Sequence, residues 1–293
     1  MTKKHFIAYI ALISIHHFIG AEDSAGTGSL KEEFNVREYW HEGMTWDQFN
    51  EIKIPLAREG FINYVDKIES QKIAAEAGIE VPTTYLASRE KVPVIDIISK
   101  LPNYVAKMTN LSWSDGLIIV KDGINMITGK PITPEEVQES LFKSFKTKPR
   151  DGQTWALFNC KPGFMIQEYI AERNEVKIQT IFGKVILGIW VKGETKKALA
   201  PFHGKFDRNG KKLGGNHEAP EWWQKAVTAS EILAKGTDSL RVDFLIRKDG
   251  TLLMNELEYY PEMGSFYSAS DQATLMNAVN EGYRNLAGKK INR

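Results

Sequence analysis

Four charged residues near the C-terminal end are spaced so that a β-hairpin would bring them onto one face. Asp249-Gly250 separates two runs of alternating apolar residues, and an Asp-Gly pair in that setting is a strong hairpin signal. A two-residue turn there pairs Lys248 with Thr251. Because side chains of a strand alternate between faces, one face carries the charged residues Arg241, Asp243, Glu256 and Glu258. The other face is apolar and is expected in the core: Val242, Phe244, Leu253 and Leu257.

The same register places Asp243 directly opposite Glu256, and Arg241 opposite Glu258. Directly opposed side chains have Cβ atoms about 4.5–5.5 Å apart, and like charges at that distance are destabilising. A divalent cation would compensate, since Mg²⁺ prefers oxygen ligands and typically takes one or two carboxylates plus substrate phosphates. The pattern therefore predicts a Mg²⁺–nucleotide site. A solvated hairpin face with an ordinary Arg241–Glu258 ion pair is the alternative.

A lysine and a polar loop earlier in the chain have the form of a phosphate site. Lys107 ends an apolar strand predicted over residues 104–107, and the loop 109–116 that follows carries hydroxyl groups and one glycine. A lysine supplies a point charge, and backbone N–H groups of such a loop can surround phosphate oxygens. Ser112 and Ser114 add hydroxyl groups to this loop. A solvated lysine beside a surface loop is the alternative.

Two further strands carry polar groups that suit the edge of a cleft. The strand predicted over residues 163–170 ends in Gln167-Glu168-Tyr169-Ile170, where exposed backbone could pair with the edge of an adenine. In the next strand, Glu175, Lys177 and Gln179 share one face, because side chains alternate. Each pattern is equally typical of a sheet that faces solvent.

The rest of the chain predicts helices mixed with antiparallel hairpins, an α+β fold. Asp66 and Thr133 each stand three residues before a glutamate, which is the form of a capping box. The predicted helices are residues 66–77, 92–99, 134–145, 220–234 and 272–286. The further predicted strands are residues 117–120, 175–182, 185–192, 240–247 and 251–258. Residues 193–217 show no periodicity and are predicted to form a loop.

Composition excludes several classes of protein. The chain has 293 residues, of which 42% are apolar and 26% charged, which is typical of a globular protein of one large domain or two to three small ones. A net charge of +1 gives no indication of a basic surface that would bind nucleic acid or an anionic membrane. The single cysteine, Cys160, forms neither an internal disulfide nor a cysteine-based zinc site.

The N-terminal residues have the pattern of a signal peptide. A basic start at Lys3-Lys4 precedes an apolar run over residues 6–15 and a small-residue exit at Ala21. The run is too short for a comfortable membrane span. We predict a signal peptide over residues 1–21, which implies the secretory pathway or an organelle. A buried first strand or helix in a cytoplasmic protein is the alternative.

The order of these pieces resembles the ATP-grasp superfamily from about Asp66 to Gly264, roughly two thirds of the chain. The motifs that carry the resemblance are Asp66-Lys67, Ala77-Gly78-Ile79-Glu80-Val81-Pro82, Tyr104-Val105-Ala106-Lys107, Gln167-Glu168-Tyr169-Ile170, Arg241-Val242-Asp243-Phe244, Asn255-Glu256-Leu257-Glu258 and Pro261-Glu262-Met263-Gly264. The helix that runs from Pro220-Glu221-Trp222-Trp223 into Arg241 resembles the branch typified by teichuronopeptide-biosynthesis proteins.

The resemblance implies two α+β lobes that clamp ATP between antiparallel sheets. It places an N-terminal lobe and lid at residues 66–170 and a C-terminal lobe with the metal site at 171–293. Residues 22–65 are predicted from their own composition to be a linker and a small N-terminal module. The roles it implies are phosphate binding by Lys67, Lys107, Ser112 and Ser114, adenine binding by Glu168, Tyr169 and Ile170, and ribose binding by Glu175. It further implies Mg²⁺ or Mn²⁺ ligation by Asp243, Glu256 and Glu258, and stabilisation of a tetrahedral intermediate by Arg241.

The reaction implied by the resemblance joins two small molecules, a carboxylic acid and an amine. ATP would activate the acid as an acyl phosphate, and the amine would attack it, so that an amide, ADP and phosphate form. An amino acid and a uronic-acid-type acceptor are the substrates that the teichuronopeptide branch suggests. A small-molecule kinase on the same fold and a catalytically silent ATP-binding protein are the alternatives.

Overall fold

The computed structural model describes residues 36–56, 61–112, 114–150, 153–170, 173–193, 202–259 and 267–291. The predicted signal peptide lies outside these residues. None of the helices within them is both long enough and apolar enough to cross a membrane.

The described residues form a run of helices followed by strands with further helices between them. The helices are α1 (Trp46–Glu51), α2 (Lys53–Leu56), α3 (Ile62–Val65), α4 (Lys67–Glu76), α5 (Ile95–Ile98), α6 (Pro134–Ser144), α7 (Trp155–Asn159), α8 (Trp223–Leu233) and α9 (Ala269–Ile291). The strands are β1 (Thr84–Ser88), β2 (Asn103–Met108), β3 (Leu117–Lys121), β4 (Ile124–Asn125), β5 (Lys130–Pro131), β6 (Phe164–Glu168), β7 (Arg173–Ile181), β8 (Lys184–Gly193), β9 (Phe202–Asp207), β10 (Lys212–Gly215), β11 (Ser239–Ile246) and β12 (Leu252–Glu258).

The strands form two antiparallel six-stranded sheets, one in each half of the described chain. The sheet with the shorter strands, called the small sheet, has the order β1-β6-β2-β3-β4-β5. The sheet with the longer strands, called the large sheet, has the order β10-β9-β8-β7-β11-β12. Helices α5 and α6 cover one face of the small sheet through Val94, Ile98, Val137 and Leu141, which are all buried. The lobe built on each sheet therefore has a hydrophobic core of its own.

The large sheet is covered on both faces. Ala74 of α4 and Trp223 of α8 pack with Val242 on one face. Trp46 of α1 and Leu275 of α9 pack on the other face, which also carries the charged residues of β11 because side chains alternate. Helix α1, which precedes α4, therefore packs on the same face of the large sheet as the charged residues.

Several local predictions are confirmed and have a clear physical basis. The Asp66 carboxylate accepts hydrogen bonds from the N–H groups of Ile68 and Glu69 and so caps α4. Thr133 and Glu136 form the full capping box of α6. Gly78, just past the end of α4, has φ of 73°, the left-handed conformation that glycine adopts most easily.

The predicted loop over residues 193–217 is wrong where the structure describes it, because β9 and β10 form a hairpin there. Gly204 takes an inward position, and a Cβ atom on it would collide with the ring of Phe206. Glycine at an inward position removes the apolar alternation by which a strand is recognised. Strand β1 and helix α7, each five residues long, were not predicted.

Gly282, in the middle of α9, is expected to reject alanine. Alanine normally stabilises a helix interior by about 1 kcal/mol relative to glycine. Here a Cβ atom would overlap the ring of Phe182, which a turn with φ of 47° holds in place. We expect Gly282→Ala to lower the free energy of unfolding by about 1–3 kcal/mol, measured by urea denaturation. Adding Phe182→Leu should recover part of the loss, and a stabilised single variant would contradict the packing.

Candidate active site

The hairpin of β11 and β12 brings the four charged residues together in the predicted pairs. Arg241 lies opposite Glu258, and Asp243 lies opposite Glu256. Arg241 and Asp243 are 6% and 1% exposed. The β11 half of the charged face is therefore buried. Glu256 and Glu258 are partly exposed, and the Glu258 carboxylate lies 3.9 Å from Nη2 of Arg241, so the Arg241–Glu258 ion pair of the alternative is also present.

The turn that produces these pairs differs from the prediction. It has three residues rather than two, because the Arg247 N–H donates to the Thr251 carbonyl and the Gly250 N–H donates to the Arg247 carbonyl. The predicted pairing of Lys248 with Thr251 is thus wrong. A β-bulge between Asp243 and Phe244 restores the predicted pairs nearer the site, since a bulge sets two residues against one.

The bulge also changes which residues face the core. Phe244 lies opposite Met254, and Met254 packs in the hydrophobic cluster with Phe244 and Val242. Leu253 was predicted to lie on that face and instead lies opposite Leu245. Asn255 is the extra residue of the bulge.

Asp243 is held by two cations. Its carboxylate accepts hydrogen bonds from Nε and Nη2 of Arg241 at 2.7 and 2.8 Å, and from Nζ of Lys177 at 2.6 Å. Burial by itself raises the pKa of Asp243, but the two cations outweigh burial and hold that pKa below its usual value. The sequence placed Lys177 on a polar face without a role, and the structure shows it bonded to Asp243.

Glu256 and Glu258 lie on a cavity between the two lobes. The residues that line it are Val65, Lys67, Ser112, Gln153, Thr154, Leu157, Glu256, Leu257 and Glu258. Burial and then the neighbouring Glu256 carboxylate raise the pKa of Glu258. Among the described residues, the Ser112 hydroxyl oxygen is buried without a hydrogen-bond partner. Crowded carboxylates and an unpaired hydroxyl group fit a cation and a ligand with polar oxygens.

Within the described residues, no three His, Cys, Asp or Glu side chains are grouped closely enough to form a ready-made metal site. Among the described residues, Glu256 and Glu258 are the carboxylates that line the cavity, while Asp243 is bonded to Arg241 and Lys177. Two carboxylates suffice for Mg²⁺ when substrate phosphates complete its coordination. The residues present therefore fit a magnesium ion that binds together with a nucleotide.

Both predicted phosphate lysines lie at this site. Lys107, at the end of β2, is 7% exposed, and its Nζ donates to Oδ1 of Asn255 at 3.0 Å. Burial first and the charge of Lys67 second lower the pKa of Lys107 to about 8, although Glu256 partly offsets them. Lys67 is the first residue of α4, and its Nζ donates to the Leu111 carbonyl at 2.6 Å.

The loop after Lys107 is packed rather than open. Thr109 and Asn110 are buried, and Ser112 reaches the cavity whereas Ser114 is exposed at a turn with φ of 64°. The structure thus brings one of the two predicted serines to the cavity.

Arg89 ties this loop to the start of α4, and sequence reasoning missed it. Its guanidinium donates to both carboxylate oxygens of Asp66 at 2.6 and 2.8 Å, to Thr109 Oγ1 at 3.2 Å and to the Lys161 carbonyl at 2.8 Å. It therefore fixes the helix end that carries Lys67 against the loop that follows Lys107. No spacing in the sequence connects these segments, so no signal could have identified it.

The predicted adenine-binding segment lies where the two sheets approach each other. The Glu168 carboxylate accepts hydrogen bonds from the Thr83 N–H at 2.7 Å and from Nη2 of Arg247 at 2.6 Å. Its side chain therefore joins β6 to the end of β11. Tyr169 and Ile170 follow β6 directly and are partly exposed.

Glu175, the predicted ribose ligand, lies on β7 at the same face as Lys177. Its carboxylate is 3.9 Å from Nζ of Lys177, and its side chain is 12% exposed. The structure thus places Glu175 beside the charged face of β11 and beyond the residues that line the cavity.

Solved structures with a similar fold include two ligases and a synthetase by name. D-alanine–D-alanine ligase from Bacillus anthracis is 18% identical, with 81% of this chain and 78% of that chain covered and a TM-score of 0.52. D-cycloserine synthetase DcsG is 16% identical, with 75% and 71% covered and a TM-score of 0.50. D-alanine–D-alanine ligase from Coxiella burnetii is 14% identical, with 78% and 59% covered and a TM-score of 0.51.

Sequence comparison matches the chain to no protein-family model and to no curated protein. The structural likeness establishes the class of fold: two antiparallel six-stranded sheets in the ATP-grasp arrangement. The predicted ATP-grasp fold is thus confirmed, while the resemblance to the teichuronopeptide branch stays a prediction.

Proposed function

We propose that the protein is an ATP- and Mg²⁺-dependent carboxylate–amine ligase, with Mn²⁺ as an alternative metal. The observation that carries the proposal is the meeting of four residues between the lobes. Lys67 at the start of α4 and Lys107 of the small lobe approach Glu256 and Glu258 of the large lobe. Cations for phosphate oxygens and carboxylates for a metal are what phosphoryl transfer requires, because it depends on positioning and charge neutralisation.

Each residue has a role in the first half of the proposed reaction. Lys67 and Lys107 bind the phosphate oxygens of ATP, and Ser112 adds a hydroxyl hydrogen bond. Glu256 and Glu258 would hold Mg²⁺, and the ion would supply positive charge next to the phosphate oxygens. An oxygen of the acid substrate attacks the γ-phosphorus atom, and ADP leaves as the acyl phosphate forms.

Arg241 serves the second half of the reaction. The amine attacks the acyl carbon, an oxyanion develops, and the bond to phosphate breaks while the nitrogen loses a proton. A fixed cation beside that oxyanion stabilises the transition state. Asp243 holds the guanidinium of Arg241 through two hydrogen bonds, so the cation is oriented before the substrates bind.

We propose an amino acid as one substrate and a small acid or a uronic-acid-type molecule as the other. Two solved structures with this fold are D-alanine–D-alanine ligases by name. The resemblance of the helix before Arg241 to the teichuronopeptide branch supports a uronic acid as the acceptor.

The test is ADP release by the full chain with Mg²⁺–ATP and a pooled panel of amino acids and sugar acids, followed by mass spectrometry. A ligase releases ADP only when acid and amine are both present, and its product is lighter than the summed substrates by one water molecule. A phosphorylated acceptor as the only stable product would make the protein a kinase. ATP binding without turnover on any pair would favour a silent nucleotide-binding protein.

Affinity for ATP is expected to fall as the pH rises through about 8. The pKa of Lys107 is lowered to about 8 by burial and by Lys67, so the amine loses its charge above that pH. Only the charged amine attracts phosphate, and at pH 9 roughly a tenth of it is charged, so binding weakens up to about tenfold. Titration calorimetry at pH 7 and pH 9 measures this change. Lys107→Arg stays charged in this range, and an equal fall in both proteins would contradict the assignment.

A further inference from the structure

Asn255 joins the two lobes at the centre of the candidate site. Its Oδ1 atom accepts the hydrogen bond from Nζ of Lys107 at 3.0 Å, and its backbone carbonyl accepts one from Nε2 of Gln71 at 3.3 Å. The next residue toward the turn, Met254, donates its N–H to the Glu80 carbonyl at 2.8 Å. Strand β12 thus contacts β2 of the small lobe, helix α4 and the segment just after α4.

The bulge explains why this residue reaches the small lobe. Asn255 is the extra residue between the pairs Asp243–Glu256 and Phe244–Met254. An extra residue has no partner across the ladder, and a bulge redirects its side chain. The amide of Asn255 is therefore directed at Lys107 while Glu256 keeps its place opposite Asp243.

The hydrogen bond between Asn255 and Lys107 suits a lysine that must bind phosphate. Lysine carries three donors and no acceptor, so the amide oxygen fixes one N–H and leaves the rest of the ammonium group for a ligand. An amide carries no charge, so it orients the ammonium group without neutralising it. A carboxylate at the same place would compete with phosphate for the lysine.

We propose that Asn255 is a positioning residue that holds Lys107 beside Glu256, at the place where the phosphates of ATP bind. The proposal rests on the proposed function. Asn255 acts through Lys107 and makes no contact of its own with the reacting atoms.

The experiment compares the full-length wild type with Asn255→Ala and Asn255→Asp, using Mg²⁺–ATP and adenosine as calorimetric probes. Adenosine lacks phosphates and reports on the rest of the nucleotide site. We expect Asn255→Ala to weaken ATP binding roughly tenfold, because the ammonium group of Lys107 loses the hydrogen bond that orients it, and to leave adenosine binding unchanged. Asn255→Asp keeps the shape and adds a negative charge, so it should also weaken ATP binding.

Asn174→Ala is the matched control. Asn174 lies on β7, where its side chain bonds to Trp190 and to the Ile246 carbonyl, and its loss should alter stability without changing the affinity ratio of ATP to adenosine. Unchanged ATP binding in Asn255→Ala, or an equal loss for adenosine, would overturn the positioning role. Wild-type ATP affinity in Asn255→Asp would overturn the need for a neutral acceptor. A wild type that binds no ATP would overturn the proposed function itself, and this inference with it.

Discussion

Glu256→Gln is expected to lower the rate of ADP release about 100- to 1,000-fold, the scale seen when one preorganised electrostatic group is removed from an active site. Glu256 faces the cavity together with Glu258, and glutamine keeps its shape while removing the charge that a metal needs. The fold should survive, because the substitution removes a carboxylate whose negative charge raises the pKa of Glu258. Initial rates and thermal unfolding midpoints measure both effects.

Glu281→Gln is the control for this substitution. Glu281 is exposed on α9, and the same chemical change there should alter neither the rate nor the midpoint. A folded Glu256→Gln variant that keeps a rate within tenfold of the wild type would exclude Glu256 from the metal site.

Asp243→Asn is expected to act mainly on stability, with a loss of about 3–5 kcal/mol in the free energy of unfolding, as when one partner of a buried ion pair is removed. Arg241 and Lys177 would be left buried without their shared carboxylate. The loss is measured by urea denaturation. Adding Lys177→Met removes one stranded charge and should recover part of it, which a double-mutant cycle quantifies.

The pH dependence of wild-type stability is a second test of the contribution of Asp243 to the free energy of unfolding. The pKa of Asp243 is held below its usual value, so the stability it contributes is present above about pH 4, the pKa of an unfolded aspartate. That stability is lost as the pH falls below this value toward the folded pKa. A loss of less than about 1 kcal/mol in the free energy of unfolding of Asp243→Asn would show that the burial of Arg241 and Lys177 does not depend on this carboxylate.

These two variants show what sequence alone could and could not predict. The pairing of Asp243 with Glu256 follows from the alternation of side chains and the Asp-Gly turn, and it is confirmed. From the sequence the two carboxylates are equivalent. The structure separates them, because Lys177 of the neighbouring strand bonds to Asp243 and the order of strands in a sheet is a tertiary property.

The residue pairs of Arg241 and Asp243 were predicted correctly although the turn length was wrong and the bulge was not predicted, because these two errors offset each other. The turn has one residue more than predicted, and the bulge at Asn255 restores the register. Local turn signals carry no information about a bulge, whose position depends on packing against the rest of the protein. Leu253 and Met254 exchange faces for that reason, and the contact of Asn255 with Lys107 could not be anticipated.

The most direct test of the proposed ligase is to trap its activated acid with hydroxylamine. The full chain is incubated with Mg²⁺–ATP, hydroxylamine and single acids from the panel, without any amine substrate. We expect a hydroxamate of one acid in equal amount to ADP from the wild type, and hydroxamate formation at least about a hundredfold slower with Glu256→Gln. Release of ADP with a stable phosphorylated acceptor and no hydroxamate from any acid would contradict it.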